Sequence, residues 1–288
     1  MDVRVRPRIT PTNATLGAVV TDVDLSALDA PAWRTVEDAF HEFGVLIFPG
    51  QNLSPDAQVA FGERFGRIEE LVAGYKAVPI TNKKRDGSLL RDDEDGMQIQ
   101  MGNEGWHTDS SYMRISAKAS ILAAHVVPSR GGQTEWADMR AAYDALDDAT
   151  RERIEPLSAF HSLVYSQAQI GHSAKIGSSY GLSADTPPLR PLVKTHPVTG
   201  RKALYIGRHA YGIPGLEPEE SKQLLADLVA FACQPPRTYL HQWQAGDVVI
   251  WDNRCLLHRA RPYDHGEHRA MMHVRVSGDP VTELAANA

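Results

Sequence analysis

Short apolar blocks alternate with amphipathic stretches along this chain, and their periods assign most of its elements. Leu16 to Leu25 reads as a short strand, Ala32 to Phe43 as an amphipathic helix, and Gly44 to Phe48 as a buried strand. Pro49-Gly50 closes that strand with turn chemistry. Ser54-Pro55 opens a second helix, because serine suits the N-cap and proline's fixed φ suits the first helical position. That helix runs to about Phe65, where Gly66 is placed to stop it.

From Gly74 to Asn103 the pattern loses its period and predicts a long polar loop, with a turn over Lys83 to Gly87. Ser120 to Val127 reads as a strand and Asp138 to Leu146 as a helix. Another helix starts at Glu217-Pro218 and ends near Cys233, with Glu219 and Glu220 where the helix dipole favours negative charge. Three strands follow, Thr238 to Trp243, Asp247 to Trp251 and Ala270 to Val276, and Ala245-Gly246 predicts a hairpin turn between the first two. Helices come early and between blocks, with strands scattered through the rest. That order predicts an α+β fold with a mainly antiparallel sheet. The segment Ser166 to Arg190 carries Gly171, Gly177 and Gly181 among few large apolar residues, and is expected to be a mobile lid.

With 288 residues the chain can bury a full core, and one domain over residues 1–288 is expected. A 42% hydrophobic and 23% charged composition places it among globular proteins. The net charge of −6 is spread along the chain, and no basic stripe is present to neutralise phosphates, which argues against nucleic acid as a partner. The apolar runs are too short to span a bilayer, and Met1 to Arg8 lacks the apolar stretch of a secretory signal. Cys233 and Cys255 do not make a disulfide framework, so two buried thiols and a cytoplasmic location are expected.

The sharpest chemical feature is Trp106-His107-Thr108-Asp109. On a strand, residues two apart share a face, so His107 and Asp109 could offer an imidazole and a carboxylate to one ion. The best third ligand is His258, at the end of the segment Trp251 to His258. Two histidines and one carboxylate leave three positions of an octahedron open, the arrangement suited to Fe(II) oxygenases. Zinc hydrolases with two histidines and a glutamate compete, but their helical His-Glu-x-x-His is absent here. A His-x-Asp on its own recurs by chance and carries little weight.

Gly102-Asn103-Glu104-Gly105-Trp106-His107-Thr108-Asp109 resembles the iron-binding motif of the taurine/2-oxoglutarate dioxygenase family. The resemblance extends from about residue 10 to residue 278. It takes in Gly44 to Gln51, Gly131-Gly132-Gln133-Thr134 and the stretch from Trp251 to Arg269, in the family's order. It implies a distorted jelly roll, a double-stranded β-helix with flanking helices, whose ligands sit inside one mouth. It also implies Fe(II) as cofactor and 2-oxoglutarate and O2 as cosubstrates. Oxidative decarboxylation would yield succinate and CO2 and drive hydroxylation of an unactivated C–H bond. Arg269, eleven positions after His258, matches the family's cosubstrate arginine, and Thr134 the threonine that shares its carboxylate. A carboxylate at Asp109, where halogenases have a small residue, implies hydroxylation.

Taurine-type members hold the substrate anion with an arginine four residues beyond the cosubstrate arginine; this chain has His273 there and Arg275 two further on. Ala137 to Leu146, His161 to Gln167 and Ile206 to Ala210 are similar to the aryloxyalkanoate dioxygenases, in particular the branch acting on S-2-phenoxypropionates. Such enzymes hydroxylate the carbon beside the ether oxygen, and the product collapses to a phenol and a keto or aldehyde acid. A small carboxylate substrate is therefore expected. Arg208, Arg275 and Lys175 are the candidate cations in that order, and Asn103 and His273 are candidate pocket residues. Two alternatives remain, a family member acting on a sulfonate, amino acid or natural-product scaffold, and a non-catalytic iron-binding cupin-like sensor. A homo-oligomer is expected.

Overall fold

The computed structural model describes residues 6–70, 72–174 and 186–287. β1 (Arg8–Pro11) pairs with β2 (Ala18–Thr21), and α1 (Ala30–Phe43) leads directly into β3 (Val45–Phe48). Then come α2 (Pro55–Glu63), β4 (Ala77–Thr81), α3 (Asp95–Gly102), the long β5 (Ala117–Val126) and β6 (Thr134–Asp138). The middle of the chain holds α4 (Met139–Asp144), α5 (Asp148–Ile154), β7 (Ser158–His161), α6 (Leu163–Ala168), β8 (Leu189–Pro191), β9 (Val193–Thr195), β10 (Lys202–Leu204) and β11 (Ala210–Tyr211). α7 (Pro218–Ala232), β12 (Thr238–His241), β13 (Val248–Asp252), β14 (Leu256–Ala260), β15 (Ala270–Ser277) and α8 (Pro280–Glu283) complete the order.

Local chemistry explains the helix ends. The Asp29 side chain accepts from the Ala32 N–H at the start of α1, and Ser54 accepts from Ala57 at the start of α2, with proline at the first turn of each. α1 ends at Gly44, whose φ of 73° closes the helix and turns the chain into β3. Its last carbonyls, those of His41, Glu42 and Phe43, accept from the buried Arg140 guanidinium. Asp138, 2.9 Å away, neutralises that arginine. The charge is buried, but fully paired and hydrogen-bonded, the condition under which such burial is tolerated.

The main sheet has seven strands in the order β1-β2-β3-β13-β5-β15-β4, and only β2 and β3 run parallel. Alternation along each strand separates two cores. In β13, Val248 and Ile250 face Phe40 and Phe61 of α1 and α2, while Val249 and Trp251 face the other way. That second face packs on Trp136, Ala137 and Leu257 of a three-stranded antiparallel sheet, β12-β6-β14. The α+β, mainly antiparallel expectation is met.

Three readings of the sequence need correction. The stretch Gly74 to Asn103 is not one loop, because it contains β4 and α3. β4 is an edge strand interrupted by Pro79 and half-buried on both faces, so it shows no clean alternation. α3 has no apolar stripe, and only Met97 and Gly102 of it are buried. Ala245-Gly246 is not a hairpin turn. β12 pairs with β6 and β13 with β3 and β5, so this turn carries the chain from one sheet to the other. The expected lid is too wide at both ends. Ser166 lies in α6, and Arg190 lies in β8, where it donates to the carbonyls of Ser111 and Glu283. Residues 175–185 of the expected lid lie outside the described residues. Among the described residues no helix is long and apolar enough to cross a membrane.

His161 of β7 is fully buried, and neither ring nitrogen has a partner among the described residues. Burial, with help from Arg190 and Lys194, pushes its pKa down to about 3. The unfolded chain therefore takes up a proton near pH 6.5 that the native state refuses. Stability is present in full above that pH and is lost as the pH falls toward 3. At pH 4.5 the loss from this one group is about 2–3 kcal/mol, at about 1.4 kcal/mol per unit. The His161→Phe protein should show a flatter decline in urea midpoint between pH 7 and 4.5. An unchanged decline would contradict this assignment.

Candidate metal and cosubstrate site

His107 and His258 are cross-strand neighbours. The His107 N–H donates to the His258 carbonyl at 2.9 Å and the His258 N–H returns to the His107 carbonyl at 2.7 Å. Directly paired residues point their side chains to one side, and the two rings lie 4.1 Å apart between centroids. The approach of the next layer needs Gly207. A Cβ there would meet the Trp106 carbonyl oxygen at 3.0 Å, and its φ is 122°. His107 Nδ1 lies 2.8 Å from the Gly105 carbonyl, which fixes the proton on Nδ1 and leaves the Nε2 lone pair for an ion.

Asp109 is brought in by a turn. The strand expected across His107 to Asp109 is absent, since His107 makes an isolated bridge and Asp109 begins the turn that follows. Asn253 shapes this turn, accepting from the Asp109 N–H and from the Trp251 indole while its amide donates to Ser120. Ser120 donates in turn to Asp109 Oδ2 at 2.6 Å. Donor atoms of His107, Asp109 and His258 then lie within 4.8 Å of one another, and all three residues are buried.

The charge states suit metal binding. Burial first, then the neighbouring imidazole, holds His107 well below its usual range. Burial likewise brings His258 and His273 down to about 4 each. Burial alone would raise Asp109, but Arg275 and the imidazoles outweigh it and keep the carboxylate ionised. Two neutral imidazoles and one carboxylate facing a cavity fit a divalent first-row metal ion with positions to spare.

That cavity, about 90 Å³, is also lined by Thr134 and Arg269. Thr134 Oγ1 accepts from the Trp243 indole at 3.0 Å, so its own proton is free to be donated. The buried Arg269 guanidinium makes one long bond, 3.4 Å, to the Gly132 carbonyl, and has no carboxylate partner among the described residues. A buried unpaired guanidinium is costly unless an anion meets it. The Gly131-Gly132 pair lets the chain pass beside it, since a Cβ on Gly131 would sit 2.3 Å from the Pro262 carbonyl oxygen.

The other expected residues divide. Asn103, His273 and Arg275 line the cavity. Arg275 is not free, because its guanidinium donates to Asp109 and Ser110. Arg208 turns away. It donates to the carbonyls of Gly102 and Ser166 and to Gln167, and lines a separate cavity against α7. Neither arginine offers a free fork to an anion in the cavity, contrary to expectation. Lys175 lies outside the described residues. The cavity lining includes residues not singled out by the sequence, among them His209 and Tyr112 beside the metal donors. His209, held through Nδ1 by Ser166 Oγ at 2.8 Å, faces His107 edge-on, and Tyr112 packs against it with its hydroxyl pushed up to about 12 by burial. His209 lies within the Ile206 to Ala210 segment that carries the resemblance, though only Arg208 is a candidate from it, and Tyr112 gives no sign beyond residue type.

A second trio, His41, His196 and Asp252, also brings donor atoms together. It does not suit a metal. His196 Nδ1 accepts from the Val198 and Thr199 N–H groups, and its Nε2 lies 3.0 Å from Asp252, whose oxygens also receive Arg254. No lone pair remains on His196, and the cluster braces the turn between β13 and β14.

Two imidazoles and a carboxylate facing a cavity that also holds an unpaired arginine and a threonine hydroxyl fit one class, oxygenases that use one metal ion and a chelating keto acid. The chain belongs to the taurine catabolism dioxygenase TauD, TfdA family, matching it over residues 8–276. It is 53% identical over 283 residues to an (S)-phenoxypropionate/alpha-ketoglutarate-dioxygenase of Sphingobium herbicidovorans, covering 96% of this chain and 97% of that one. It is 51% identical over 286 residues to the enzyme of the same name from Delftia acidovorans, covering 97% and 98%. The solved structure of AAD-2 with Mn(II) and N-oxalylglycine superposes with a TM-score of 0.88 at 39% identity, covering 97% of this chain and 98% of that one.

Proposed function

We propose that this chain is an Fe(II)- and 2-oxoglutarate-dependent dioxygenase that hydroxylates an aryloxyalkanoate beside its ether oxygen, releasing a phenol and a keto or aldehyde acid. One observation carries the reading: three converging metal donors share a cavity with a buried arginine that lacks an anion. The substrate class is supported by the similarity to (S)-phenoxypropionate dioxygenases over nearly the whole chain. AAD-2, bound to Mn(II) and N-oxalylglycine, supports a metal beside a 2-oxoglutarate-like diacid. Two sheets sharing one core support a double-stranded β-helix and a single domain over residues 1–288. Burial pushes the Cys233 thiol up to about 12 and raises Cys255 as well, inert thiols that fit a reducing cytoplasm.

In this reading His107, Asp109 and His258 hold the iron. Iron with 2-oxoglutarate and O2 supplies oxidising power sufficient for an unactivated C–H bond. The residues of the chain do the rest. Arg269 meets the distal carboxylate of 2-oxoglutarate with a planar fork and Thr134 adds its free hydroxyl. Because Arg208 and Arg275 are committed elsewhere, the substrate carboxylate falls to Asn103, Tyr112, His209 and His273. His273 stands where sulfonate-binding relatives have arginine, and its ring nitrogens have no hydrogen-bond partner among the described residues, Nε2 lying 3.7 Å from Asp109 Oδ2. The observed cavity is smaller than the roughly 300–1,000 Å³ usual for ligand pockets, so side chains around it must give way to admit both acids.

Succinate release from 2-oxoglutarate should be stimulated by (S)-2-phenoxypropionate or phenoxyacetate and not by taurine. Turnover of taurine without either aryloxy acid would overturn the substrate and leave the oxygenase. No succinate under any substrate would favour the iron-binding sensor.

A further inference from the structure

Behind Asp109 lies a buried assembly that no step of the proposed chemistry uses. Arg275 Nη2 donates to Asp109 Oδ1 at 2.9 Å, and its Nη1 donates to the Ser110 hydroxyl at 3.0 Å. Ser110 Oγ donates in turn to Glu69 Oε2 at 2.8 Å, and that oxygen lies 3.8 Å from Arg275 Nη1. The Glu69 N–H also donates to the Arg275 carbonyl at 2.8 Å, so backbone as well as side chains fix the pair. Glu69, Ser110 and Arg275 are each no more than 9% exposed. Ser110 holds φ at 53°, a conformation non-glycine residues seldom adopt, and its hydroxyl sits between Glu69 and Arg275.

The two oxygens of Asp109 are thereby made unequal. Oδ2 lies 3.7 Å from both His258 Nε2 and His273 Nε2, on the side of the metal donors, and among the described residues the Ser120 hydroxyl is its one hydrogen-bond donor. Oδ1 is occupied by a guanidinium. A carboxylate free to pivot binds a metal through one oxygen or through both, and the second mode closes one of the three positions that a keto acid and O2 require. From this geometry we infer that Glu69, Ser110 and Arg275 form a positioning clamp that holds Asp109 to coordination through Oδ2 alone. Glu69 has a distinct part in it. It pulls on Arg275 from the far side, so the guanidinium stays on Oδ1 and does not slide over the carboxylate toward the metal. Through Nη1 and Nη2 Arg275 is then a positioning residue for Asp109.

The inference rests on Asp109 being a metal ligand, and the test separates the two. Metal-stripped wild-type, Arg275→Gln, Arg275→Lys, Glu69→Gln and His258→Ala proteins are titrated with Mn(II), with free ion followed by electron paramagnetic resonance. Visible spectra of the Co(II) forms report coordination number. Loss of a group that orients a ligand typically weakens metal binding about 10- to 100-fold, which is the change expected for Arg275→Gln, with an altered Co(II) spectrum. Arg275→Lys should recover part of it, because one ammonium can reach Oδ1 but cannot fork to Ser110 as well. Glu69→Gln keeps the shape and the Ser110 contact, and should show a smaller loss in the same direction. It decides the matter if Arg275→Gln does not fold. Wild-type Mn(II) affinity and Co(II) spectra in the folded Arg275→Gln and Glu69→Gln proteins would overturn the clamp. A raised KM for the aryloxy acid beside that unchanged metal binding would return Arg275 to the substrate anion. Unchanged Mn(II) affinity in His258→Ala would instead remove the metal-site reading on which the clamp depends.

Discussion

Alanine at His107 or His258 should abolish turnover and leave the protein unable to retain Fe(II). Each ring supplies one of three donors gathered within 4.8 Å, and no fourth group among the described residues joins that cluster. The loss should exceed the roughly 100-fold that follows removal of a group merely orienting a ligand. Asp109→Ala should behave alike but is a less clean test. It strips Arg275 of its closest partner, and breaking a buried ion pair from one side costs about 3–5 kcal/mol of stability. The histidine variants leave that pair whole, so iron content and succinate release can be compared at equal foldedness, checked by thermal melting. Full activity with normal iron in either would remove that histidine from the site.

Arg269→Ala should raise the KM for 2-oxoglutarate strongly while leaving iron retention intact. The guanidinium is buried, holds one long bond and has no carboxylate among the described residues, so its favourable state awaits an anion. Truncating one partner of a buried charge pair typically costs about 2–5 kcal/mol. At 1.4 kcal/mol per factor of ten, that is roughly 30-fold to 3,000-fold in affinity. Thr134→Val should shift the same constant in the same direction by less, since it removes one neutral hydrogen bond. A KM unchanged in Arg269→Ala would move the cosubstrate carboxylate to another cation.

Strong periods and cap chemistry made α1, α2, β3, β5 and β13 legible, because those elements bury a face continuously against one core. β4 and α3 were not legible. An edge strand with proline at its centre and a short helix without an apolar stripe are held by what packs on them, and sequence alone does not show that. The turn at Ala245-Gly246 was recognised as a turn, but spacing cannot say whether the strands it joins share a sheet. Residue type singled out His107, Asp109 and His258, and their donor atoms do converge, but not through a shared strand face. The His107–His258 bridge brings the rings together, and Asp109 arrives by a turn. Arg208 and His209 show the limit most clearly. They are adjacent in sequence, and only the path of the chain after Gly207 decides that the imidazole faces the cavity and the guanidinium does not. Glu69 left no signal, because its partner Arg275 lies on a strand near the opposite end of the chain.

The most direct test of the central claim is product stoichiometry. Purified protein with Fe(II), 2-oxoglutarate, O2 and (S)-2-phenoxypropionate or phenoxyacetate should form phenol and succinate in equal amounts, with neither appearing above background when Fe(II) is withheld. Succinate formed without phenol from both aryloxy acids, or phenol formed without 2-oxoglutarate, would contradict the account.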